Sequence, residues 1–337
     1  MGFTLLVGGF TWFASSLGRM NLPVELALNV KSAGPPVLTH EWRLVDGKHW
    51  QIVPSSFDAL EDREVTDRTE GNRGACPIGM IEVRGQMKLD PSPTAYFNGN
   101  SIEEMQKSTC TQWINKDYPE RCGKFDREKW LEIGKELATK PMHFCIDRYE
   151  FPNQKGAFPV ILANWYEAVE LCAVEGKRMC DEAEWTFACE GEEATPYPYG
   201  YERDVESCVV DRPWKPFNEV AMRPRDGAPA MAEMDRLWQG VASGSRPRCK
   251  SSFGVFDMTG NVDEWTRSVR DGERPSILKG GYWGPVRTRC RPSTRSHDEN
   301  HMFYQQGVRC CGDAGAPAHR RAISMDPALA PLPRELK

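Results

Sequence analysis

Twelve cysteines in a chain of 337 residues constrain this fold more than any other feature of the sequence. Ten of them, Cys76, Cys110, Cys122, Cys145, Cys172, Cys180, Cys189, Cys208, Cys249 and Cys290, stand singly; Cys310 and Cys311 are adjacent, and no Cys-x-x-Cys pair occurs. Metal clusters and redox dithiols are recognised by close pairs, so an even, dispersed set points to disulfides formed in an oxidising compartment. The expected location is therefore extracytoplasmic, in the periplasm or cell envelope, secreted or membrane-anchored, and not the cytosol. The length allows one large domain or two ordinary ones with a sizeable core. A formal net charge of -5 argues against a broadly basic nucleic-acid binder.

The N-terminus is consistent with export. Residues Phe3 to Leu17 form an uncharged apolar run closed by Arg19, short for a membrane span of about 20 residues but suited to a signal-peptide core. The basic segment that normally precedes such a core is missing, since Met1 and Gly2 alone stand before it. The expectation for residues 1–22 is a signal peptide or an uncleaved N-terminal membrane anchor, with a buried helix or strand of the fold as the bland alternative. An extension follows over 23–75. In it, His40 to Val53 carries a hairpin signal around Asp46-Gly47, and the charged stretch Glu61 to Arg73 has the character of a solvated linker. The main domain is expected over 76–312, with a polar-aromatic loop between Cys110 and Cys122. An Ala/Pro-rich tail without periodicity, 313–337, is expected to be disordered. No repeat of 20 to 50 residues is present.

Two helices can be placed from periodicity. Asn164 to Glu175 sets Trp165, Ala168, Leu171 and Cys172 on one face and is stopped by Gly176. Asp181 to Glu190 opens with Asp181-x-x-Glu184, a capping-box spacing, and sets Trp185, Ala188 and Cys189 on one face. Each helix thus aims a cysteine at the core beside a tryptophan.

Four stretches in order carry a family resemblance: FCIDRYEFPN (Phe144 to Asn153), ANWYEAVELCAVEGKRMCDEAEWTFACEG (Ala163 to Gly191), FGVFDMTGNVDEWT (Phe253 to Thr266), and LKGGYW (Leu278 to Trp283) with GVRC (Gly307 to Cys310). Together they resemble the formylglycine-generating enzyme (sulfatase-modifying factor) family over Pro141 to Gly312. The resemblance implies an irregular α+β fold related to C-type lectins, poor in regular secondary structure and stapled by disulfides. It also implies two bridges, Cys172 with Cys310 and Cys189 with Cys290. Loops of that length stabilise a fold by about 4–5 kcal/mol each in the chain-entropy model. By elimination Cys208 is paired with Cys249 and Cys110 with Cys122; the pairing of Cys76, Cys145, Cys180 and Cys311 is left open.

The enzymes of this family hold copper with two cysteines between the Gly-Gly of the closing motif and the structural cysteine after it, and soft thiolates suit Cu(I). The corresponding interval here, Tyr282 to Arg289, contains no cysteine and is several residues too short. Copper is therefore not expected. The His-rich helical domain of iron-dependent relatives is not recognisable either. The resemblance does imply a structural calcium ion held at Asp257, Gly260, Val262 and Glu264, in a loop that offers oxygen ligands around a glycine turn; the bland reading is a tight turn satisfying its own backbone.

Weaker constellations complete the candidates. His297 and His301 have a zinc-like i, i+4 spacing if helical. Arg287, Arg289, Arg291 and Arg295 are suited to gripping a carboxylate or phosphate, or to tying loops to acids such as Glu182, Glu184 and Asp263. The insert Glu202 to Arg248, with Trp214, has the composition of a cleft-shaping loop. Trp214, Arg287 and Arg289 are the candidate binding residues. Three functions follow, in order: a binding or structural envelope module for a protein, peptide or glycan ligand; an oxidoreductase of the broader family, as in pyoverdine maturation; and a formylglycine-generating oxidase using unrecognised cysteines. Catalytic residues cannot be named from the sequence.

Overall fold

A computed structural model describes the backbone of 40–45 and 49–54 and, more fully, residues 75–92, 94–95, 99–225, 227–270 and 272–315. The expectations for the N-terminal apolar run, the charged linker and most of the tail lie outside the described residues. No helix among the described residues is long and apolar enough to cross a membrane.

The hairpin signal at His40 to Val53 corresponds to strands β1 (His40–Val45) and β2 (His49–Pro54), antiparallel with Val45 opposite His49. The following elements are β3 (Met80–Lys88), α1 (Ile102–Lys107), β4 (Cys110–Asn115), β5 (Arg121–Phe125), α2 (Arg127–Gly134) and β6 (Thr139–Asp147). Next come α3 (Trp165–Val174), β7 (Arg178–Met179), α4 (Glu182–Glu190), α5 (Ala228–Leu237), β8 (Asp263–Arg267) and β9 (Ser276–Lys279). The last are β10 (Ser293–Thr294), β11 (Gln306–Val308) and β12 (Cys310–Asp313). The result is mixed α+β with short elements joined by long irregular segments. One four-stranded sheet runs β3-β6-β12-β7 and another β10-β9-β8-β11, in which β11 lies parallel to β8. The segment bracketed by Cys110 and Cys122, expected as a loop, is instead most of a hairpin, with Trp113 opposite Cys122. Register shifts along that pair break the two-residue alternation by which a strand is recognised from sequence.

Both expected helices form, for the reasons the sequence supplies. The Asn164 side chain accepts the Glu167 N–H at 2.9 Å, and the Glu167 carboxylate accepts the Asn164 N–H at 3.0 Å, closing a capping box. At the other end Lys177 N–H bonds to the Cys172 carbonyl and Gly176 N–H to that of Ala173, a Schellman end that needs the φ of 70° at Gly176. The predicted face of α3 is the buried one, with Trp165, Ala168, Leu171 and Cys172 packed against Trp265, Leu278 and Val308. The predicted face of α4 buries Trp185, Ala188 and Cys189 against Phe144 and Ile146 of β6 and Met258.

Six disulfides use all twelve cysteines. The structure brings together Cys172 with Cys310, Cys189 with Cys290, Cys208 with Cys249 and Cys110 with Cys122. The remaining four pair as Cys76 with Cys145 and Cys180 with Cys311. The adjacent Cys310 and Cys311 point to opposite faces of β12, as alternation along a strand requires, so one bridge reaches α3 and the other Cys180, directly after β7.

Candidate functional site

The site is made by a doubled turn. After β9, Gly280 and Gly281 adopt φ of 91° and 70°. A Cβ on Gly281 would stand 2.6 Å from the Thr288 methyl, and one on Gly280 2.8 Å from the Met258 carbonyl, so neither position admits a side chain. Tyr282, Val286 and Arg287, which follow the turn, share one lining with residues of the irregular segment 295–305. Between them lies a cleft of about 300 Å³ whose walls include Tyr118, Asp263, Tyr282, Arg287, His301 and Phe303.

The electrostatics of this cleft are unusual for a protein surface. Burial pushes the Asp263 carboxyl up to about 7; the Gly281 backbone N–H pulls against that rise, and the neighbouring Glu264 adds to it. Burial also holds His297 and His301 below the ordinary imidazole range. Their rings stack at 3.8 Å between centroids and 6° between planes, in a segment that is not helical. Parallel rings aim their nitrogens side by side and not at a common point, so the zinc-like spacing does not become a metal site, and no cluster of three or more metal-ligating side chains occurs among the described residues. Two acceptors on the cleft wall, Gln305 Oε1 and Gln306 Oε1, are buried without a hydrogen-bond partner.

Of the binding residues expected from sequence, the structure places one in this cleft. Arg287 lines it, with Nη1 3.2 Å from Glu103 and its guanidinium 5.2 Å over the Tyr118 ring. Arg289 does not: it is 2% exposed, its guanidinium 3.4 Å from Glu103 and laid over Phe125, where it ties α1 to the closing loop. Trp214 is 63% exposed and lines neither this cleft nor the second opening described below. Arg291 and Arg295 serve as ties, to Glu190 at 2.6 Å and to Glu273 at 2.6 Å. The insert does shape a second opening of about 850 Å³, through Phe217, Met222, Arg223 and Arg225, which shares His301 and Phe303 with the first.

Both carboxylates expected, with the backbone carbonyls of Gly260 and Val262, to hold calcium already accept hydrogen bonds from the protein. Glu264 accepts the Trp185 indole N–H at 2.6 Å on one oxygen and Arg309 Nη2 at 2.6 Å on the other. Asp257 accepts the Gly244 N–H at 2.6 Å, and burial pushes its carboxyl up to about 7. Gly260 has a φ of 78°, and a Cβ there would fall on the Val209 carbonyl, while Val262 packs in an apolar cluster with Ile161 and Trp283. A guanidinium already supplies the positive charge that a metal ion would bring to Glu264.

Asp263, Gln305 and Gln306 were not singled out as site residues by sequence reasoning. A signal existed: in a strand, neighbours face opposite sides, so a Glu264 turned into the core sends Asp263 the other way.

A family model for the sulfatase-modifying factor enzyme 1-like domain matches residues 94–314. Over 174 residues the chain is 28% identical to the inactive C-alpha-formylglycine-generating enzyme 2 of Bos taurus, covering 49% of this chain and 54% of that protein. Over 175 residues it is 28% identical to the formylglycine-generating enzyme of Mus musculus, covering 46% and 44%. The chain thus spans about half the length of the curated relatives it matches. Among solved structures, that of CarF superposes with a TM-score of 0.43 at 12% identity over 70% of this chain and 98% of that one. PvdO from Pseudomonas aeruginosa gives 0.41 at 16% identity over 69% and 94%.

Proposed function

From the membership of this chain in the sulfatase-modifying factor family, we propose that it is an extracytoplasmic module that does not generate formylglycine and that acts by binding a ligand in the cleft beneath the Gly280-Gly281 turn. One observation carries the reading: every cysteine is consumed by a disulfide, and the interval Tyr282 to Arg289, where the resemblance puts the copper thiolates, contributes a tyrosine and an arginine to the cleft instead. Copper-thiolate oxidation needs two free thiolates at that place. Six bridges also favour folding in an oxidising compartment, which supports the periplasm or cell envelope as the location. The similarity to an enzyme described as inactive points the same way.

Two measurements test this. Mass spectrometry of the non-reduced, alkylated protein should find no modified cysteine; a pair of alkylated thiols that binds Cu(I) would restore the oxidase reading. Co-expression with a sulfatase should leave the sulfatase cysteine unconverted, and appearance of its aldehyde would overturn the proposal outright.

A further inference from the structure

The wall of the cleft presents hydrogen-bond acceptors whose donors are missing. Gln306 is 2% exposed, and its Oε1 has no partner; Gln305 Oε1 is buried and unpartnered beside it. Native proteins seldom keep a buried polar atom unmatched unless a ligand, ion or water supplies the match. Asp263 sits directly opposite Gln306 in the parallel β8–β11 ladder, so the two side chains leave the sheet on the same face. The Asp263 carboxyl is met by the backbone N–H of Gly281, and no cationic side chain among the described residues contributes to stabilising its charge. Arg287, the cation that lines the same cleft, is turned to Glu103 and, at 3.9 Å, to Glu120.

We propose that this cleft binds an organic cation, a guanidinium or primary ammonium group, with Asp263 as its counter-ion and the Gln305 and Gln306 side-chain carbonyls as its hydrogen-bond acceptors. The volume of about 300 Å³ suits one extended side chain or a small free amine, and Tyr282 and Phe303 offer apolar walls for its methylenes. A guanidinium or ammonium has donors only, which is what three acceptors on one wall require.

The inference rests on the cleft being a binding site, but its test is separate from the aldehyde assay, so the two can fail independently. The full chain is titrated by calorimetry and by NMR with butylguanidinium and with its uncharged isostere butylurea. Butylguanidinium should saturate the site, and butylurea should bind at least about tenfold more weakly. Asp263→Asn should lose about tenfold or more, and Gln306→Met should lose severalfold. Nα-acetyl-arginine N-methylamide forms the second arm: binding as tight as butylguanidinium assigns the group to a peptide side chain, and its exclusion assigns it to a free amine. Equal binding of butylurea, or undiminished binding by a folded Asp263→Asn, would overturn the proposal. If Asp263→Asn fails to fold, undiminished binding by Gln306→Met does the same.

Discussion

Glu264 of β8 and Arg309, the residue between β11 and β12, form an ion pair of 2.6 Å with 1% and 0% of their side chains exposed. The guanidinium also donates to the carbonyls of Asp147 and Phe256, so one side chain links both sheets and the loop before β8. A buried pair of this kind does not add stability over an apolar replacement of the same shape, but losing one member leaves a bare charge in the core. Arg309→Met or Glu264→Gln should each cost about 3–5 kcal/mol in urea unfolding. The double variant should cost clearly less than the sum. An additive double variant would show that the two do not interact.

The same pair bears on calcium. With the Glu264 oxygens held by Arg309 and Trp185, millimolar calcium in place of a chelator should move the melting temperature by less than about 1 °C, because a ligand that does not bind the native state does not stabilise it. A calcium-dependent rise of several degrees would restore the metal reading at Asp257, Gly260, Val262 and Glu264.

Asp257 predicts a pH dependence. Burial raises its carboxyl from 3.8 to about 7, and the nearby Glu150 is raised as well, by burial first and by Asp257 second. A carboxyl raised on folding favours the protonated native state. Its contribution is therefore fully present below 3.8 and is lost progressively as the pH climbs to about 7. Asp257→Asn keeps the acceptor for the Gly244 N–H and tolerates the φ of 56°. It should stabilise the protein at pH 8, leave it little changed at pH 4, and flatten the slope between. Unfolding by urea across that range would show a steeper slope if the sign were wrong.

Cys180 and Cys311 close a loop of 131 residues. Because Cys172–Cys310 already holds the neighbouring residues, the loop this bridge adds is about ten residues, and replacing both cysteines with alanine should lower stability by about 2–3 kcal/mol in the chain-entropy model. Loss of less than about 1 kcal/mol would mean that the unfolded chain is held by the other five bridges so closely that this one adds little.

At α3, Asn164→Ala removes the acceptor for the Glu167 N–H and should cost about 1 kcal/mol. Asn164→Asp should retain most of the stability, and equal losses in both would argue against capping as the cause.

How far each part was legible follows from the range of the interactions involved. The helices α3 and α4 and the β1–β2 hairpin are specified locally, by a cap, an apolar period and a turn. The hairpin β4–β5 was not legible because its bulges spoil the period. Helices α1 and α2 were missed as well; they are short and supply few core residues of their own, Ile102 and Trp130 among them. Arg289 and Arg287 are two residues apart with similar neighbours in sequence, yet one is sealed against Phe125 and the other borders the cleft. Both reach Glu103 of α1, so the difference depends on Phe125 of β5, remote in sequence, which covers Arg289 alone.

The cysteine count and spacing alone determined that this chain would be stapled, and the motif order determined the family and the absence of its thiolate pair. Both are properties of which residues are present. Only the tertiary structure decided which cysteines meet, that Arg309 occupies the carboxylate of Glu264, and that Asp263, Gln305 and Gln306 converge without donors. Those facts arise where β8 and β11, some forty residues apart, are laid parallel and the Gly280-Gly281 turn folds over their ends. A charge or a carbonyl becomes chemically distinctive only when burial removes its water, and burial is a property of the folded chain.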